Sequence, residues 1–123
     1  IYHRACPLFV PLAEEGQEWW DNDITLRVAE EYLTPLRNTG VDTLVLGCTH
    51  YPLLQNIISK VMGCEVKLVS SAFEVARVVK KTILDNNIQR DIKCKPVYRY
   101  YTSDSVEKFE PLCSAILGRS AGK

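Results

Sequence analysis

Cys48, Thr49 and His50 stand together in the run Gly47-Cys48-Thr49-His50-Tyr51-Pro52-Leu53-Leu54, and they are the residues of this chain best equipped for chemistry. A cysteine acts as a base or nucleophile through its thiolate. A histidine two residues further on can accept the thiol's proton or stand beside the thiolate as a cation. Thr49 adds a hydroxyl and a backbone N–H between them. Their placement follows from the flanks. Val41 to Leu46 is mostly apolar and β-prone and follows a Gly40 stop, so it reads as a buried strand. Beyond the run, Leu53, Leu54, Ile57, Ile58, Val61 and Met62 recur at helical spacing, with Pro52 suited to the first turn and Gly63 to the residue past the end. The three residues therefore fall on the turn from a strand's carboxyl end to a helix's amino end, where parallel α/β sheets bind ligands. A helix amino end favours a negative group by about 0.3–1 kcal/mol. That alone does not hold a thiolate at neutral pH when a free thiol has a pKa of about 8.5, which leaves a part for His50. A plainer reading of the same residues is a small buried cysteine and a polar histidine on a turn.

Other elements must position this turn. Ala5 to Val10 reads as a strand ending at Pro11, which puts Glu14-Glu15-Gly16 on the loop at its carboxyl end, the ligand side of a parallel sheet. Adjacent glutamates on a loop are ordinarily solvated charge. Trp19 and Trp20 follow and can pack over the core or mark a subunit contact; packing is the preferred reading. Asp21 or Asn22 can cap a helix running to Asn38, with Ile24, Val28, Tyr32 and Leu36 four apart and Ala29 and Leu33 beside them. Pro35 should kink or shorten its last turn. After the central helix, Cys64 to Val69 reads as a strand, and Ser71-x-x-Glu74 forms a capping box that opens a helix over Ala72 to Leu84 carrying Val75, Ala76, Val78, Val79 and Ile83. Val97 to Thr102 is a Tyr-rich strand. Ser103 or Asp104 caps a last helix with Val106, Phe109, Leu112, Cys113, Ile116 and Leu117 turned inward, and Gly118 stops it. Four strand–helix units in alternation, without internal repeats, indicate an α/β fold with a parallel sheet.

Composition narrows the function classes. The chain has 123 residues, 46% hydrophobic and 24% charged, enough for a buried core and unlike a disordered segment. A formal net charge of zero gives no electrostatic footprint for nucleic acid or an anionic membrane. No apolar run approaches the ~20 residues of a transmembrane helix, and no signal peptide is legible at Ile1. Five cysteines without a C-x-x-C pair point to neither a disulfide framework nor a zinc site, and suit a reducing cytosol. Cys6, Cys64, Cys94 and Cys113 read as structural or incidental. No P-loop, G-x-G-x-x-G or clustered ligand set is present, so no metal, pyridoxal or nucleotide cofactor is expected.

The octapeptide resembles the second-cysteine motif of bacterial glutamate racemases, which interconvert L- and D-glutamate without a cofactor. Three further stretches are similar to the same family, in the same order. They are Ala5-Cys6-Pro7-Leu8-Phe9-Val10-Pro11-Leu12-Ala13-Glu14-Glu15-Gly16, Val41 to Leu46, and Tyr100-Tyr101-Thr102-Ser103-Asp104 with Phe109 behind it. Ala13 replaces a commoner branched residue, and Ser70 stands where the family usually has Asp. The resemblance implies two α/β domains facing each other across a cleft, with residues 1–69 part of the second domain and residues 70–123 returning to the first. It implies that Cys48 is one of two cysteines that exchange a proton with the α-carbon, acting on the L-face. His50 would assist it, Glu14 would orient His50, and Thr49 would hold a substrate polar group. The family's first half carries an Asp-Ser motif, another cysteine and an Asn-Thr pair, none of which appears here. A missing amino-terminal part is therefore expected, and the chain alone is expected to be inactive. The family role is the supply of D-glutamate for peptidoglycan, cell-wall biogenesis and cell shape in the bacterial cytoplasm. Glutamate is the implied partner, and a homodimer of the full-length protein is left open. A non-catalytic fragment or interaction module stays open too, as does a related cysteine enzyme or racemase acting on another amino acid.

Overall fold

The computed structural model describes residues 1–91, 93–103 and 105–120. The core is built mainly by helices α1 (Phe9–Glu14), α2 (Asp23–Arg37) and α3 (Gln55–Met62) and strand β1 (Thr43–Leu46). Strand β2 (Lys67–Ser70) pairs parallel with β1, in the register Thr43↔Lys67 to Leu46↔Ser70, with α3 in the crossover. Helices α4 (Ser71–Asp85) and α5 (Val106–Leu117) complete the chain. This is an α/β arrangement with a parallel sheet.

Helix α2 is opened by Asn22, whose side-chain oxygen accepts from the Thr25 N–H at 2.9 Å. It runs through Pro35 to Arg37 rather than ending early. A proline this near the end deletes only one ladder donor, and the Asn38 N–H still reaches the Thr34 carbonyl at 3.0 Å. Its buried stripe is Thr25, Ala29, Leu33 and Leu36, so Ile24 is exposed where the sequence reading placed it inside. The stripe is turned by one position at the amino end because the Thr25 hydroxyl finds a partner inside, the Trp19 carbonyl at 2.7 Å. Helix α3 buries Ile57, Ile58, Val61 and Met62 and packs extensively on α2. Gly63, at φ 94°, takes the chain off its end.

Several expectations are corrected. Residues 5–10 are not a strand: Ala5 to Leu8 form an irregular turn and α1 begins at Phe9, whose N–H bonds the Cys6 carbonyl at 3.0 Å. Pro7 and Pro11 cannot donate to a sheet ladder, whereas Pro11 fits the first turn of a helix, where N–H groups lack partners anyway. Residues 97–102 are extended enough to stack the rings of Tyr98 and Tyr100, 6.5 Å apart and 7° from parallel, but no ladder pairs them. Two strands, not four, are therefore paired among the described residues. Strand β1 is not fully buried either, with Leu46 at 2% and Val45 at 62% exposure. The capping box is absent. Ser70, not Ser71, is the N-cap of α4, it makes no side-chain cap bond, and Glu74 pairs instead with Arg77 at 3.0 Å. Ser105 caps α5 by accepting from the Lys108 N–H, in place of Ser103. The alternative, Asp104, lies outside the described residues.

The inward faces expected of α4 and α5 are also uncovered. Neither helix has a buried residue, and Phe73, Val75, Val78, Val79, Val106 and Ile116 are all at least half exposed.

Candidate active site

Leu46, buried at the end of β1, anchors the turn that carries the candidate residues. Gly47 leaves the strand, and Cys48, Thr49 and His50 form a bend before a 3-10 turn over Tyr51–Leu54. The α-helix proper starts only at Gln55. This corrects the idea that the thiol faces an α-helix amino end. A full 3-10 turn intervenes, and a helix-end field fades within about one turn. His50 is therefore the nearer influence on Cys48.

The geometry bears on that point directly. Cys48 Sγ lies 3.8 Å from His50 Nδ1, and Thr49 Oγ1 lies 3.4 Å from the same nitrogen. The other ring nitrogen, Nε2, is 3.0 Å from Glu14 Oε1, thirty-six positions away in sequence. A carboxylate on Nε2 keeps a proton on that nitrogen and leaves Nδ1 free to accept from the thiol. Cys48, His50 and Glu14 thus form a chain along which a thiol proton can be accepted and the resulting imidazolium stabilised. Cys48 and His50 are half-buried and Glu14 is exposed. The structure brings all four sequence-derived candidates, Cys48, Thr49, His50 and Glu14, to one place. It moves Glu14 from a loop after a strand to the last residue of α1.

What holds α1 against the turn went unassigned in the sequence. The Phe9 ring, 1% exposed, meets Tyr51 edge-on at 5.4 Å and Tyr32 at 5.6 Å. The Tyr51 hydroxyl donates to the Cys6 carbonyl at 3.3 Å. Burial raises the Tyr51 hydroxyl's pKa, opposed in part by that bond. Tyr51 lies inside the octapeptide and Phe9 in a short apolar run, and nothing local pairs them. Cys6 is buried in the core, and burial raises its thiol, with Arg4 opposing. All five cysteines are free.

A cleft of about 630 Å³ lies beside this site rather than in it. It follows β1 and residues 1–6, with Tyr2, Arg4, Cys6, Asp42, Leu44 and Tyr51 in its wall. None of the four candidate side chains lines it, so its shape carries no argument about the chemistry at Cys48.

No family model matches the chain. Its curated homologues are glutamate racemases. The one from Geobacter metallireducens is 48% identical over 122 residues, covering 99% of this chain and 44% of that protein. The one from Leifsonia xyli is 45% identical over 119 residues, covering 96% and 43%. Among solved structures, the glutamate racemase of Francisella tularensis in complex with D-glutamate superposes with a TM-score of 0.83 at 31% identity, over 98% of this chain and 44% of that one. A glutamate racemase isoform from Bacillus anthracis gives 0.83 at 35%, over 95% and 43%. The chain spans about 44% of the length of the curated relatives it matches.

Proposed function

We propose that this chain is the carboxyl-terminal part of a glutamate racemase and supplies one of the two faces from which the α-proton is moved. The observation that carries the proposal is the contact chain from Cys48 through His50 to Glu14, at the head of a parallel strand, in a chain whose homologues are glutamate racemases. The α-proton of an amino acid is a very weak acid. Moving it without a cofactor requires a base on one face of the α-carbon and an acid on the other, both held close. The Cys48 thiolate takes the proton on its face, and on the reverse passage the thiol returns it. His50 receives and returns the thiol's own proton, and Glu14 fixes the imidazole's orientation. Thr49, exposed beside His50, holds a polar group of the substrate through its hydroxyl or N–H.

The opposite face and its cysteine belong to the remainder of the protein. Residues 1–69 form part of one domain, and residues 70–123 cross back to the other, where the apolar faces of α4 and α5 find cover. The product, D-glutamate, serves peptidoglycan synthesis in the bacterial cytoplasm.

The test uses the full-length protein and the 123-residue chain side by side. Each is incubated with L- or D-glutamate in deuterated water, and loss of the α-proton is followed by NMR. The full-length protein should exchange both enantiomers, and the chain alone neither. Cys48→Ser should slow early proton loss from L-glutamate more than from D-glutamate, because serine is a far weaker base than a thiolate. Racemisation by the chain alone would overturn the one-face argument, and equal slowing would remove the assignment of faces.

A further inference from the structure

The Glu14 carboxylate is exposed, yet it meets His50 from a helix only six residues long. A helix this short does not hold itself in place, since most helical stability comes from packing against neighbours. Its amino end is held by Phe9 and the Tyr51–Cys6 contact described above. Its carboxyl end, where Glu14 sits, needs a separate restraint.

There a side-chain hydrogen bond adds to the burial of Ala13 in the core. The Trp20 indole N–H donates to the Ala13 carbonyl at 2.8 Å. Ala13 is fully buried, and its carbonyl is one of the last four in α1 that the helix itself cannot satisfy. The donor is brought back by the chain reversal that follows. Gly16, at φ 113°, occupies a conformation that other residues rarely adopt, and a 3-10 turn over Gln17–Trp19 returns the chain beneath α1. The return is also tied to α2. The Thr25 hydroxyl, fully buried on α2, donates to the Trp19 carbonyl at 2.7 Å, one residue from Trp20.

The Ala13 carbonyl and the Glu14 N–H share one rigid peptide plane. Holding the carbonyl therefore fixes the Glu14 N–Cα bond, from which the helical φ of Glu14 sets where its side chain leaves the backbone. A rotation of that plane by about 20° would carry the carboxylate roughly 1 Å, enough to lengthen a 3.0 Å contact past hydrogen-bond range. We infer that Trp20 is a positioning residue for Glu14: its indole N–H orients the Ala13–Glu14 peptide so that the carboxylate meets His50. The inference rests on the racemase reading proposed above and assigns Trp20 no contact with substrate.

The test separates positioning from packing by removing only the donor. In the full-length racemase, Trp20 is replaced by phenylalanine and, separately, by β-(3-benzothienyl)alanine. The latter keeps the bicyclic shape and exchanges the N–H for sulfur, so it fills the space that phenylalanine leaves. Both are combined with Glu14→Gln. Because Trp20 acts only through Glu14, losing its donor predicts a fall in kcat no larger than that of Glu14→Gln, roughly two- to fivefold, with KM nearly unchanged. The donor deletion should cost nothing further once Glu14 is Gln. A parent-like kcat in the benzothienyl variant, or an equal fall in both backgrounds, would overturn the inference alone. If the parent protein does not racemise glutamate, or Glu14→Gln does not slow it, the reading of the site fails and this inference falls with it.

Discussion

Replacing Glu14 by Gln and His50 by Asn, singly and together, tests whether the two side chains act as one unit. Their contact is 3.0 Å, with side-chain exposures of 54% for Glu14 and 30% for His50. Two full charges at that separation attract by about 1.4 kcal/mol in bulk water and several-fold more in a dry interior. The exposure on both sides argues for the wet limit, and ordering two side chains subtracts from it. Measured exposed pairs contribute about 0.2–1 kcal/mol. Glu14→Gln should therefore slow kcat/KM by roughly two- to fivefold. His50→Asn removes the partner of the Cys48 thiol and should cost more, on the order of a hundredfold, as for other groups that move protons. In the proposed mechanism Glu14 acts only through His50. The double variant should thus be no slower than His50→Asn, and the coupling energy should equal the whole Glu14 effect. The assay is racemisation by the full-length protein followed by circular dichroism of glutamate. Strict additivity of the two losses would refute the contact as a functional unit, whatever its length.

Two further outcomes are expected. At neutral pH, mass-mapped alkylation should label Cys48 faster than Cys6 or Cys113. Cys6 is 3% exposed with its thiol raised by burial, so it carries less thiolate at a given pH than an ordinary cysteine, and equal labelling of Cys48 and Cys6 would contradict the site. Ser70→Ala should raise stability by about 1 kcal/mol, or a few degrees in Tm, because the buried Ser70 hydroxyl has no hydrogen-bond partner among the described residues. A lower Tm would show that the hydroxyl is satisfied.

The site was legible where local chemistry and periodicity agree. The apolar run before Gly47 and the helical spacing after Pro52 place Cys48, Thr49 and His50 on a turn, and β1 and α3 confirm that placement. Asn22 and Gly63 likewise mark real helix ends. Residues 5–10 were misread because a short apolar run has no period long enough to distinguish strand from helix, and two prolines decide the matter through donors they lack. Residues 97–102 carry β-prone side chains, but strand formation needs a neighbour, and the sequence does not report one. The rotation of α2 escaped notice because hydrophobicity alone favours Ile24 over Thr25, whereas a satisfied hydroxyl can be buried. Glu14 was connected to His50 by resemblance only. Its placement depends on Phe9, Tyr51 and Trp20, side chains whose partners are far away in sequence.

The distribution of burial argues for a division of labour along the chain. The core draws on Cys6 to Met62, and everything that positions the Cys48–His50–Glu14 contact lies between those limits. Beyond Ser70 no described residue is buried, although Phe73 is 70% and Val75 60% exposed on α4. Covering a large apolar side chain contributes about 1.5–3 kcal/mol. A helix that leaves several uncovered gains much from a partner surface, and a two-stranded sheet is marginal without one. The half-site and the uncovered face therefore have different physical requirements. Internal contacts set the Cys48–His50–Glu14 geometry, whereas the apolar faces of α4 and α5 are uncovered. In the proposed racemase both needs meet in one object. The part that brings the second cysteine to the opposite face of glutamate also covers these helices, so completing the fold and completing the reaction are the same event.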